Sequence, residues 1–258
     1  MRTDGHQVGS RLGRWRGVWL SLWAVVALSG CVDSVGMLDG PGSVVEELKA
    51  VVTLSSGDEV ALFEGDLLFE CDTAGMGAAV EASTGRFTHV AVVVRQGDQL
   101  LVAEATPRRG VALRSVEEFM AEGGWVQPMW VAVEYERDSV SPRVLRLVGR
   151  PYDFYFAVGT ERLYCSELVV ECYRLKGGAP LFEQQPMNFL DADGQLPRYW
   201  ARLFDSLGCA VPQGQLGSNP DALAHSACLR PVGGPIAVGE RAEGGRQRAE
   251  GAEFDNNK

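Results

Sequence analysis

Residues 88–105 read THVAVVVRQGDQLLVAEA, running from Thr88 through His89 and Glu104 to Ala105. Two apolar runs, His89 to Val94 and Leu100 to Ala105, flank Arg95-Gln96-Gly97-Asp98. This is the pattern of two antiparallel strands joined by a tight turn. The open end of the hairpin carries a histidine on one strand and a carboxylate on the other. Which residue faces His89 depends on the turn. A four-residue loop, Arg95 to Asp98, sets Glu104 opposite His89, whereas a two-residue loop, Gly97-Asp98, sets Thr106 there. The sequence permits both.

Working outward, Glu59 to Phe63 and Asp66 to Glu70 add short apolar runs around Gly65, and Trp125 to Tyr135 reads as another strand. Ser115-Val116-Glu117-Glu118 is a capping box. Ser141-Pro142 sets a cap and a first-turn proline before Val144 to Val148, and Ser43-Val44-Val45-Glu46 opens a short helix through Ala50. Between Cys71 and Arg86 the chain is either a loop or a short helix over Met76 to Ala82. Leu163 to Lys176 has apolar residues at helical spacing and stops at Gly177-Gly178. Leu196 to Leu207 reads as a helix whose aromatic face packs in the core. Strands followed by helices, without regular alternation, indicate an α+β fold in which a small antiparallel sheet packs against helices.

The N-terminal segment reads as an export signal. Arg2, Arg11, Arg14 and Arg16 form a basic region, and Gly17 to Leu28 (GVWLSLWAVVAL) follows as an uncharged apolar stretch. It is shorter than the roughly twenty residues that span a bilayer. Leu28-Ser29-Gly30-Cys31 resembles the bacterial lipobox. The resemblance implies cleavage of residues 1–30 and acylation of Cys31, a stable anchor at about 0.8 kcal/mol per buried methylene. Residues 31–42 then form a lipidated tether, 43–207 the main domain, 208–237 a loop-rich extension and 238–258 a disordered tail. Val32 lacks the aspartate associated with inner-membrane retention, so the expected place is the cell envelope, at the outer membrane facing the periplasm in a diderm source.

Removing the signal leaves 20 basic against 33 acidic residues, a formal charge of −13. Such a chain is repelled by nucleic acid, and no nucleic-acid partner is expected. In an oxidising envelope the remaining cysteines, Cys71, Cys165, Cys172, Cys209 and Cys228, are candidates for pairing. Cys209 and Cys228 flank a Gly/Pro/Asn-rich stretch and are placed to close it as a disulfide, while an odd count leaves at least one thiol free.

After signal cleavage His89 and His225 are the histidines, and His225 falls in the loop-rich segment. Cys165 stands near the start of a predicted helix, where unpaired N–H groups and the helix dipole favour a thiolate. The same residue types also suit a buried small thiol, a structural histidine and an exposed strand-end carboxylate, so Cys165, His89 and Glu104 are not assigned by residue type alone. Tyr164 precedes the cysteine, where its ring or hydroxyl reaches a site or simply packs. No Cys/His pairs at zinc spacing occur.

The order of these motifs carries more than any one of them. Gly65-Asp66-Leu67-Leu68-Phe69, Thr88-His89-Val90-Ala91-Val92-Val93, Val102-Ala103-Glu104-Ala105, Gly149-Arg150-Pro151-Tyr152-Asp153 and Tyr164-Cys165-Ser166-Glu167-Leu168-Val169 together resemble the circularly permuted NlpC-like papain-fold family, in its YiiX/YaeF-like branch. In ordinary papain-like enzymes the cysteine precedes the histidine; here the histidine comes first. The resemblance implies Cys165 as nucleophile, His89 as general base and then acid, and Glu104 as the residue orienting His89. Beside them, Tyr164 is a candidate substrate or oxyanion contact. It implies a thiol hydrolase or acyltransferase with no metal or organic cofactor, acting on amide or ester bonds of cell-wall peptides, lipids or lipopeptides. The competing expectation is an inactive papain-like envelope lipoprotein that binds or scaffolds. Thr88 stands where the family often has serine, and the chain beyond Pro180 matches no family motif.

Overall fold

Apolar residues at alternate positions pair Lys49–Thr53 (β1) with Glu59–Phe63 (β2) as an antiparallel ribbon, Ala50 opposite Leu62 and Val52 opposite Val60. The computed structural model describes residues 47–53, 59–122, 124–233 and 236–238. β1 corrects the helix expected through Ala50. Ala50 and Val52 are half-buried against a core while Val51 and Thr53 face out, an alternation of period two that a helix does not give. Ser43 to Glu46, the expected signal segment, Cys31 with its tether, and the tail beyond Val238 lie outside the described residues.

The central sheet is antiparallel. Its strands are Leu67–Cys71 (β3), His89–Gln96 (β4), Gln99–Thr106 (β5), Gly110–Ser115 (β6), Gly124–Val131 (β7), Leu229–Pro231 (β10) and Ile236–Val238 (β11). They run in the order β10-β7-β3-β4-β5-β6, with β11 also on β7. A ribbon of Gln185–Pro186 (β8) and Leu216–Gly217 (β9) stands apart. Helices are Met76–Thr84 (α1), Val116–Ala121 (α2), Val140–Leu147 (α3), Cys165–Cys172 (α4), Arg198–Ser206 (α5) and Pro220–Ala224 (α6). Among the described residues none is long and apolar enough to cross a membrane.

β4 is buried on both faces, which explains its unbroken apolar run. Val90, Val92 and Val94 enter the core shared with α4 and α5, while Ala91 and Val93 enter a second core beneath β2 and α2. The capping box is present: Ser115 Oγ accepts from Glu118 N at 3.0 Å and Ser115 N donates to Glu118 Oε2 at 3.1 Å.

Three expected boundaries move. α3 begins at Val140 rather than at Pro142, because the Ser141 hydroxyl is drawn into the interior, accepting from Arg95 N at 2.8 Å and donating to Glu64. β7 stops at Val131, and Tyr135 instead bridges to Leu175. That bridge, with Arg174 bridging Pro180, pulls the chain out of α4 after Cys172, short of the expected Lys176. The anticipated Cys209–Cys228 disulfide is absent: both thiols are free, Cys209 exposed beyond α5 and Cys228 at the edge of the core, 3.1 Å from Ser226 Oγ.

The aromatic face of α5 packs as expected. Trp200, Leu203 and Phe204 are buried, and the Trp200 indole N–H is shared between Ala79 O and Ser83 Oγ of α1, each at 3.2 Å. Burying each such side chain contributes about 1.5–3 kcal/mol. Segment 208–233 adds Leu223 and Leu229 to the same core and lays β10 on β7. This packing holds the helical and loop elements that wall the site.

Candidate active site

Cys165 is the first residue of α4, behind Tyr164 in an extended conformation at φ −96° and ψ 169°. The next residues of α4, Ser166 to Val170, are buried, so the helix is seated firmly against the sheet. In its first turn the backbone N–H groups have no intrahelical acceptor and point their positive end at the thiol. His89 opens β4, with its side chain 17 % exposed. Its Nε2–H donates to Glu104 Oε2 at 2.9 Å, and Cys165 lines the same cavity close enough to act on the ring electrostatically. Nε2 is committed to the carboxylate, which leaves Nδ1 for the sulfur.

The turn between β4 and β5 is the two-residue one, with Gln96 paired to Gln99 and Gly97 at φ 62°. Thr106 therefore falls on the row of His89, yet Glu104 still reaches the imidazole along the diagonal, two residues back. Long side chains span such a diagonal readily.

Three carboxylate-related features were not legible in the sequence. Glu70, paired with His89 in the β3–β4 register, places Oε2 4.0 Å from Nε2. Arg114, on β6, lies 3.2 Å from Glu104 Oε1. Glu122, just past α2, meets the same guanidinium at 2.5 Å. Only strand pairing brings these together; spacing along the chain carries no signal for them.

Burial alone would lower the His89 pKa. The Cys165 sulfur, Glu104 and Glu70 outweigh it and raise the imidazole well above its ordinary range. Burial would likewise raise Glu104, but His89 and Arg114 bring it below the ordinary carboxylate value. Glu70, with burial dominant, is raised. The arrangement thus favours an imidazolium between carboxylates and beside a sulfur. Cys172, about two turns further along α4, is pushed by burial to about 12 and is an inert thiol.

A cavity of 290 Å³ opens in front of Cys165 and His89. Its lining combines the apolar side chains of Met76, Val80, Phe156, Met187, Phe189 and Trp200 with the carboxylates of Glu70, Asp72 and Glu122. Thr88 fixes the sheet end of the cavity, its Oγ1 accepting from Asp72 N at 2.7 Å. The Tyr164 ring lines the cavity while its hydroxyl, raised by burial to about 12, accepts from Ser218 N at 3.0 Å. Ser218 Oγ also bonds Ser166 Oγ at 3.0 Å. A side chain at Gly217 would collide with Met187 and Tyr164. The segment beyond residue 208 therefore closes one side of the site.

Residues 61–233 match the family described as "Permuted papain-like amidase enzyme, YaeF/YiiX, C92 family". The chain is 25 % identical over 174 residues to the uncharacterized protein YiiX of Escherichia coli K12, covering 65 % of this chain and 84 % of that protein. Against protein OPG091 of Monkeypox virus it is 30 % identical over 116 residues, covering 41 % of this chain and 63 % of the viral protein. A crystal structure from Escherichia coli O157:H7, described as the metalloprotein yiiX, superposes with a TM-score of 0.53 at 22 % identity, covering 66 % of this chain and 95 % of that one. With a histidine-bearing strand preceding the cysteine-bearing helix, and a family match over two thirds of its length, the chain belongs to the permuted papain-like amidases of the YaeF/YiiX family.

Proposed function

We propose that this protein is a lipid-anchored thiol hydrolase of amidase type, with Cys165 as nucleophile, His89 as proton carrier and Glu104 as the residue that orients His89. The observation that carries this reading is the contact of His89 with Glu104 at 2.9 Å beside Cys165, the three lining one open cavity. The thiolate attacks the carbonyl carbon of an amide or ester. The oxyanion formed faces the backbone N–H of Cys165 in the first turn of α4. The imidazolium of His89 passes its proton to the departing amine or alcohol, and the thioester remains on Cys165. His89 then takes a proton from water, whose hydroxide releases the acid and restores the thiol. Another acceptor in place of water makes the same site an acyltransferase.

Cell-wall peptides and lipids or lipopeptides are the proposed substrates, reached from an anchor on Cys31 in the envelope, at the outer membrane facing the periplasm in a diderm source. The lipobox and the apolar side chains of the cavity support this. The metalloprotein description of the Escherichia coli relative is not carried over, because among the described residues no group of three or more His, Cys, Asp or Glu side chains converges as a metal site.

The test is the pH dependence of iodoacetamide labelling at Cys165, read by peptide mass spectrometry on the full-length protein in mild detergent, beside His89→Ala. Fast labelling below neutral pH that slows in the variant is expected. An ordinary thiol profile in both proteins replaces the enzyme with a binding module on the same fold.

A further inference from the structure

His89 stands between two carboxylates, and the structure treats them differently. Glu70 reaches within 4.0 Å of Nε2 from β3, with its side chain 22 % exposed. Glu104 reaches within 2.9 Å from β5, with its side chain 4 % exposed. A buried carboxylate holds its charge only where the lost water is replaced by donors. His89 satisfies Oε2; Oε1 accepts no hydrogen bond among the described residues and is faced instead by the Arg114 charge, whose Nη1 lies 3.2 Å away.

Arg114 is itself 4 % exposed and cannot swing freely. Its guanidinium is held by Glu122 Oε2 at 2.5 Å, donates through Nη2 to the Glu118 carbonyl at 3.2 Å, and lies 5.2 Å from the centre of the Phe119 ring. Glu122 in turn takes Arg109 Nη2 at 3.1 Å. Charges therefore alternate inward from solvent, Arg109 to Glu122 to Arg114 to Glu104 to His89. Glu104 and Glu122 line the cavity, whereas Arg114 sits behind them and contacts the site only through its carboxylate partners.

We propose that Arg114 is a positioning residue that selects Glu104 over Glu70 as the partner of His89. Its charge beside Oε1 holds the rotamer that aims Oε2 at Nε2, and it keeps Glu104 an ionised acceptor, as the donating His89 nitrogen requires. Without it, Glu104 would be a buried carboxylate with no buried cation behind it, and the imidazole would turn toward the wetter Glu70. The ring would then leave the line that presents Nδ1 to Cys165. Displacements of about 1 Å in such a constellation cost roughly a hundredfold.

This inference rests on the Cys165–His89–Glu104 reading, and a double-mutant cycle separates the two. Iodoacetamide labelling of Cys165 is followed from pH 5 to 9 in the full-length protein, Arg114→Met, Glu104→Gln and the double variant, with thermal melts as the check on folding. Arg114→Met is expected to slow labelling at pH 6 by roughly tenfold or more, and to slow Glu104→Gln no further. Arg114→Lys, which keeps the charge but not the fork, recovers part of the rate and is the variant read if Arg114→Met does not fold. Multiplicative losses in the double variant, or a wild-type rate and pH profile in the Arg114 variants, overturn the proposal. A wild-type protein whose Cys165 shows no His89-dependent activation overturns the underlying catalytic reading instead, before any Arg114 variant is compared.

Discussion

Glu104 Oε2 lies 2.9 Å from His89 Nε2, although the β4–β5 ladder, running from Val92 opposite Ala103 to Gln96 opposite Gln99, sets Thr106 and not Glu104 on the row of His89. The contact is diagonal and depends on side-chain length. Replacing Glu104 by Gln keeps the length and removes the charge that favours imidazolium. His89 then titrates lower, and each pKa unit lost reduces its charged fraction above that pKa by about tenfold. Cys165 labelling at pH 6 is expected to slow accordingly, with folding retained. Because the folded Glu104 pKa is lowered, its stabilisation is present above the ordinary carboxylate value and lost as pH falls through the folded one. The difference in melting temperature between wild type and variant should therefore shrink on acidification; a difference independent of pH would refute the assignment.

The thiols should separate by environment. Cys209 is exposed, whereas burial pushes the Cys172 thiol up to about 12, so in the native protein at pH 7 Cys209 labels and Cys172 stays silent until unfolding. Thiol titration of unreduced, denatured protein should find Cys71, Cys165, Cys172, Cys209 and Cys228 all reactive. Recovery of a Cys209–Cys228 linked peptide would contradict the structure.

Glu167, two residues after Cys165, is 1 % exposed and raised by burial to about 8. Its Oε1 accepts from Gly159 N at 3.2 Å. From about 4.5 to 8 the folded chain keeps a proton that the unfolded chain releases, so stability falls as pH rises through that window and levels off above it. Glu167→Gln keeps the acceptor and removes the titration. Its melting temperature relative to wild type should rise between pH 5 and 8, by an amount equivalent to a few kcal/mol, roughly. A constant offset across that range would show that Glu167 does not titrate there.

Tyr164 offers a test of its own. Its hydroxyl serves Ser218 N in a buried contact, so Tyr164→Phe leaves a backbone donor unpartnered at a cost of about 1–3 kcal/mol. Stability should fall while Cys165 labelling holds. If turnover of an amide substrate instead drops about a hundredfold with stability intact, the hydroxyl acts on the oxyanion.

Elements built from neighbouring residues were readable without coordinates. The valines of β4, the Ser115–Glu118 capping box and the buried Trp200 face of α5 each rest on period or spacing within a few residues. Cys165 and His89 were legible because a thiol at a helix start and a histidine at a strand start are local features, and because their order along the chain is that of a known family. Where a segment's partner lay far away, local pattern misled. Ser43 to Ala50 looked helical until β2 claimed Lys49 and Ala50, and Tyr173 to Lys176 left α4 because Tyr135 and Pro180 bridge to it.

By itself, then, the sequence determined the α+β character and the apolar strands, since these follow from side-chain chemistry and short-range periodicity, and it named Cys165 and His89 as candidates through the order of motifs along the chain. The tertiary structure alone decided which turn joins β4 to β5 and which carboxylate His89 meets. It also placed Arg114 behind Glu104 and set residues 216–220 against Tyr164. Those outcomes depend on register and on packing between segments tens of residues apart, and a hydrogen bond forms only where the fold has already brought both partners within about 3 Å.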